Sequence, residues 1–570
     1  MKKYIFTAFA AAAFLTACVD LDLSPKSSGS SENWYSTAQE LEYSLNVLYT
    51  PLMWYTESWR LWPTDRWTDD WNQRTQTYDW LGGTISTTWG EGAKHWANYY
   101  KGIARANTII QSIDKAKDNL TQAQITQYAG EAKYFRASFF TYLTFLYGDV
   151  PYYDEHLTLE EAYKMGRTDR NLILEKIYQD FDDAAEALPV SYTKAQRVTK
   201  GAAYAMKARA ALFNNDWKTC AAAAKACMDL GVYSLHTDYR DLFLSKTKTS
   251  PEYIFVLPAS NELGIHSYDE AATRSFYPRN NGGTSVAQPT WQLFFAYTCT
   301  DGLNVEDSPL YDPAKPFANR DPRLSELTAP FDEEFMDYIY NPRPSASKTL
   351  QVSSNTQVKN NDSKPVAKDC SYNGLVLKKG IDEEWIDDRL TDTPMRIMRY
   401  GDVLLMYAEA KMELGQIDQS LFDAVNSIRA RAYKCKLTET DKYPAITETD
   451  QTALRKILRN ERRCELAWEN RRWFDIMRWR MAEECCTMPI YGLPGNDDSL
   501  ANEKTGYWPW PKDFRPHMKA SSAIDISDIE AYPSYFTINQ QGKFVPREYL
   551  FPIPENERVV CPMLTQNPGY

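Results

Sequence analysis

The stretch TQAQITQYAGEAKYFRASFFTYLTFLYGDVP, residues 121–151, carries the signals of a long interior helix. Thr121 followed three residues later by Gln124 reads as a capping box, and Gly148 with Pro151 beyond it reads as a stop. Between them Ala132, Phe135, Phe139, Tyr142 and Leu146 recur at helical spacing, while Phe140, Leu143 and Tyr147 widen the apolar stripe beyond one face. Lys133 and Arg136 interrupt the run, so it is too polar and too short to span a membrane. Other helices of the same chain must therefore cover it.

The spacing predicts such neighbours. Leu41, Leu45 and Leu48 give a short amphipathic helix over Thr37–Tyr49, and helical pattern returns from Trp96 to Ile110 and from Asn171 to Leu188. Lys200–Phe213 and Asp216–Leu230 read as an Ala-faced hairpin around a short Asn-Asn-Asp turn. A second pair follows from Asp402 to Ala432, with Ala408, Gly415 and Ala424 expected where helices approach closely. Glu461–Trp479, ERRCELAWENRRWFDIMRW, is expected to be a charged aromatic helix. In it Asp475 has Arg471 and Arg478 within pairing distance, and such charge density suits a buried ion network that locks the helix to the scaffold.

Periodicity fails near residues 53–95, 233–395 and 487–548, which read as insertions of loops and short strands. The first contains Trp67, Trp71, Trp80 and Trp89 among Asp65, Asp69, Asp70 and Arg74. Buried charges need partners, so this stretch is expected to be a structured loop lining a surface. Flat rings beside Asp and Arg side chains offer the stacking faces and hydrogen bonds that a neutral sugar requires.

The net charge of −12 discourages nucleic acid and anionic membrane surfaces as partners. The 17 Trp and 38 Tyr either fill a core or face a ligand. At the start, MKKYIFTAFAAAAFLTAC has the layout of a lipoprotein signal: residues 1–17 would be removed and Cys18 lipidated, with 18–36 as a flexible tether. Residues 37–570 are then expected to be one body. Cys18 leaves nine cysteines without regular spacing, so no disulfide framework is expected, and no zinc spacing is present. No cofactor is indicated. Adjacent carboxylates (Asp69-Asp70, Glu383-Glu384, Asp387-Asp388) are poorly placed for acid/base catalysis, and no nucleophile elbow or phosphate loop appears, so an enzyme is not expected.

Several strings resemble the SusD/RagB family of nutrient-binding outer-membrane lipoproteins: WANYYKGIARAN from Trp96, GEAKYFRA, LYGDVP, RDPRL from Arg320, the 461–479 stretch and the closing QNPGY. The resemblance implies a mainly α fold, an irregular tetratricopeptide-like helical-repeat scaffold with long loop and short-strand insertions. It implies an oligosaccharide ligand, passed to a SusC-like TonB-dependent transporter in the outer membrane by a lid-like movement. It also implies that ligand-contacting rings come from the early loop and from the irregular region after the hairpin, here Tyr268, Phe276 and Tyr277. The expected ligand-binding set is Asp65, Trp67, Trp71, Arg74, Trp80, Trp89, Tyr268 and Tyr277. A RagB-like peptide-binding role and a scaffold without a small ligand are the alternatives.

Overall fold

A computed structural model describes residues 34–54, 64–74, 79–193, 197–531 and 538–570. Cys18, the signal segment and most of the tether lie outside the described residues. The frame consists of α1 (Ala38–Asn46), α2 (Gly90–Ser112), α3 (Gln122–Tyr147), α4 (Arg170–Ala187), α5 (Lys200–Phe213), α6 (Trp217–Asp229), α7 (Tyr400–Glu413), α8 (Gln419–Ala432), α9 (Gln451–Glu465) and α10 (Arg472–Arg478). Strands are few and short, as the fold class expected.

Helix α3 is the interior element. Its capping box is present in both directions, and Gly148 ends it at φ 74°, a conformation that suits glycine. It is flanked by α2 and α4. Both contacts are close: a β-carbon on Gly102 of α2 would lie 2.4 Å from the Phe139 ring, and one on Gly130 of α3 would lie 2.5 Å from Ala187. Arg136 does not reach solvent; its Nε and Nη2 donate to Asp180 of α4 at 2.7 and 2.8 Å.

The two hairpins, α5/α6 and α7/α8, lie far apart in sequence yet adjoin directly, because α6 packs on α7. Ala408 and Ala424 are buried. Gly415 is different: a β-carbon there would find no atom within 4 Å, and its φ of 69° is what requires glycine.

The 461–479 stretch is not one helix. It begins inside α9 and breaks at Leu466–Arg471, where Trp468 (φ 60°) and Asn470 (φ 57°) are left-handed, before resuming as α10. The expected ion network is present. Glu465 meets Arg323 at 3.1 Å and Arg399 at 2.8 Å and also pairs with Arg431; Asp402 meets Arg209 and Arg462, each at 2.7 Å. Asp475 pairs with Arg478 at 2.9 Å and with Arg462 at 2.8 Å, whereas Arg471 reaches across to Asp402 instead. The network ties α9 and α10 to α5, α7 and α8.

The aperiodic insertions hide a second core. Trp291, Phe294, Phe295, Trp510 and Phe514 cluster there, with Trp510 stacked on Phe514 at 4.7 Å. A meander of four strands, from Glu333–Phe335 to Thr356–Lys359, lies on the same insertion.

Candidate functional site

The early stretch is interior, and the reason is that its charges have partners. Asp69 meets Arg472 and Arg463, each at 2.9 Å, and Asp70 meets Arg463 at 2.6 Å. Asp65 accepts the amides of Asn470 and Arg472 at 2.8 and 3.1 Å, which closes the break between α9 and α10. Burial, with the nearby Asp70 adding to it, pushes the Asp65 carboxyl up to about 7. These carboxylates bind the chain together and are enclosed, so Asp65 is corrected from a ligand contact to a structural acceptor.

Three of the four tryptophans expected to stack on a sugar follow it inward. Trp67 lies 5.9 Å from Trp80, 5.7 Å from Trp89 and 5.6 Å from Trp473, all in the main core. With both faces packed against protein, these rings have no face for a sugar. Trp59 and Trp62 lie outside the described residues.

Trp71 goes elsewhere. It opens the strand Trp71–Gln73, which pairs antiparallel with Ala287–Pro289 after the hairpin. Its ring lies 4.1 Å from Trp468 and 6.2 Å from Phe276, and Phe276 in turn lies 5.7 Å from Tyr268. The early segment thus meets the 268–277 region, but Trp71 and Tyr277 are buried and the Tyr277 hydroxyl is engaged with Asp382 O at 3.2 Å. The two cavities beside Tyr268 are ≈ 20 Å³ each, room for a water and not for a sugar ring.

Above this second cluster lies a partly exposed rim, in which Asp369 is exposed while the Arg74 side chain keeps only 9% of its surface in solvent. Arg74 follows the strand, its amide held by Val286 O at 3.0 Å. Its guanidinium stands 5.5 Å from the ring of half-buried Tyr372 and 3.9 Å from exposed Asp369, and Lys364 stands 5.7 Å from the same ring. The amide of Asn361 donates to the Asn280 side chain across the neighbouring loops at 2.9 Å. An aromatic ring, two cations and a carboxylate meet beside a frame fixed by strand pairing and by stacked indoles. Arg74 stands beside the aromatic run in the sequence, whereas Lys364 lies in a polar tract and Tyr372 in the loop after it, with no period to mark them.

The comparisons with known proteins agree across the chain. The profile described as SusD family matches residues 251–570, and the one described as starch-binding associating with outer membrane matches residues 21–212. A SusD-like protein of Formosa agariphila is 25% identical over 523 residues, covering 85% of this chain and 92% of that protein. A crystal structure of a SusD-like carbohydrate binding protein from Bacteroides fragilis superposes with a TM-score of 0.74 at 25% identity, covering 93% of this chain and 99% of that one. Surface glycan-binding protein A from Bacteroides fluxus shares the fold at 19% identity with a TM-score of 0.61, covering 94% and 100%. A profile spanning more than half of the sequence, together with these relatives, settles the classification: the chain belongs to the SusD family.

Proposed function

We propose that the protein is a cell-surface glycan-binding lipoprotein, anchored in the outer membrane through Cys18, that hands oligosaccharide to a SusC-like TonB-dependent transporter. The observation that carries the binding role is the rim at Arg74, Tyr372, Lys364 and Asp369, mounted on a rigid aromatic cluster. A half-exposed ring flanked by charged donors and acceptors supplies both interactions a sugar uses, stacking and hydrogen bonding. Two relatives whose names state carbohydrate or glycan binding support the same reading. Among the described residues no helix is long and apolar enough to cross a membrane; the proposed attachment rests on the lipoprotein-type signal that ends at Cys18.

Catalysis is not part of the proposal. Asp69 and Asp70, the carboxylates most open to an acid/base reading, are enclosed with Arg463 and Arg472. A glycan array probed with the protein lacking residues 1–18 tests the reading, with Arg74→Ala and Tyr372→Ala as controls. Binding of one glycan class that both variants weaken supports it. Binding of peptides but no glycan overturns it in favour of the peptide role.

A further inference from the structure

A second concavity, of ≈ 350 Å³, lies against α2. Its walls are aromatic. Trp96 and Tyr100 come from α2, with ring centroids 4.9 Å apart, and Tyr153 lies parallel to Tyr100, at 6.1 Å and 7°. The short C-terminal helix Glu555–Val560 closes the far end with Glu557.

Glu557 is half-buried and accepts one hydrogen bond, from Asn556 at 2.9 Å; among the described residues no cation pairs with it. Burial pushes its carboxyl above the usual range, the direction expected of an anion lacking a counter-charge. No lysine or arginine is among the residues lining the cleft; Glu155 adds a second carboxylate and the exposed His156 is the one lining side chain able to carry a positive charge. Arg167, near enough to act on Tyr100, already donates to Asp149 O at 2.7 Å and to Asn567 Oδ1.

The lining is also partly apolar, with Ala104, Leu157, Ala162, Met165 and Leu564.

We propose that this cleft binds an organic ammonium group carried on a partly apolar body, the cation lying against Tyr100 and Tyr153 with Glu557 as its counter-ion. Ring faces attract cations, and a half-buried carboxylate adds Coulomb attraction that screening weakens little. An anion would face two carboxylates, and a neutral sugar would leave Glu557 uncompensated. Two sources carry the required chemistry, a lysine side chain of a peptide and an amino sugar.

Isothermal titration calorimetry of the protein with Nα-acetyl-lysine amide, glucosamine and glucose tests the assignment. At neutral pH at least one amine binds and glucose does not; binding by the lysine amide alone identifies a peptide source, and by glucosamine alone an amino-sugar source. Glu557→Gln and Tyr153→Ala each weaken amine binding by about tenfold or more, whereas Tyr153→Phe keeps it. Arg74→Ala and Tyr372→Ala leave it unchanged, so failure here and failure of the glycan rim are read separately. Silence of both amines at millimolar concentration, glucose binding equal to glucosamine, or full binding by a Glu557→Gln protein of unchanged melting temperature would each overturn the proposal.

Discussion

The indole of Trp71 lies flat on that of Trp468, with ring centroids 4.1 Å apart and planes inclined by 14°. Trp468 sits at a left-handed position in the break between α9 and α10, and its Nε1 donates to Asp70 O at 3.1 Å. One stacked pair thus fastens the early segment to the end of the ion network. The face that Trp71 would offer a ligand is occupied by protein, and the ring's work is to hold the rim at Arg74 in place.

It follows that tryptophan and rim variants separate. Trp67→Ala or Trp71→Ala is expected to cost about 3–5 kcal/mol of stability, the usual effect of emptying a large buried site. Tyr372→Ala lies at the rim and is expected to leave the melting temperature nearly unchanged while weakening glycan binding by about 5- to 150-fold; Arg74→Ala, at a side chain 9% exposed, is expected to weaken binding and to lower stability slightly as well. Thermal unfolding measured beside binding decides it; a Trp71→Ala protein of normal stability that fails to bind would restore the ring to the site.

The α2–α3 contact gives a test of packing. Gly102→Ala would drive a methyl into the Phe139 ring, whose nearest atom is 2.4 Å from the new carbon, and is expected to destabilise by about 1–3 kcal/mol. Phe139→Ala alone is expected to cost about 3–5 kcal/mol through the cavity it leaves. Combining Gly102→Ala with Phe139→Ala should cost less than the sum of the two single changes, because the smaller side chain yields the space. Chemical denaturation of the single and double variants reads this directly, and strict additivity would show that the two residues do not press on each other.

The helical frame is legible in the sequence because its signals are local. Thr121, Gln124 and Gly148 mark the ends of α3 within a few residues, and its apolar positions repeat with the helix. The early loop misleads for a physical reason: Asp65, Asp69 and Asp70 look too costly to bury, and their partners, Arg463, Arg472 and the amide of Asn470, lie at the opposite end of the chain. Left-handed Trp468 likewise carries no local mark, so the break after α9 is invisible in the pattern. The rim is half visible: Arg74 stands beside the aromatic run, but Tyr372 joins it only through tertiary structure.

Membrane attachment rests on one thiol. Cys18→Ala removes the acylation site and is expected to move the protein out of the membrane fraction when it is expressed without a transporter partner. Fractionation with metabolic palmitate labelling checks both halves. A variant that stays wholly membrane-bound without label would refute the lipid anchor.

Glu465 receives Arg323, Arg399 and Arg431 in the interior. Burial alone would raise its carboxyl, but the guanidiniums of Arg431, Arg399 and Arg323 overcome that and hold it at about 2; Glu469 beside Arg399 and Lys379 is likewise held at about 2. A carboxyl whose pKa is lower in the folded than in the unfolded chain contributes stability above its unfolded value. For both groups that contribution is complete at neutral pH and drains away as pH falls from the ordinary 4.5 towards about 2. Glu465→Gln keeps the shape but leaves three guanidiniums with one anion fewer, and breaking a buried network in this way costs about 3–5 kcal/mol. The variant is therefore expected to unfold at lower denaturant than the parent at pH 7, and the gap is expected to narrow as the pH is lowered through that window, since the parent loses the charge that the variant never had. Denaturation midpoints measured at several pH values test this, and a gap that stays constant down to acid pH would show that the ionised form of Glu465 does not support the fold.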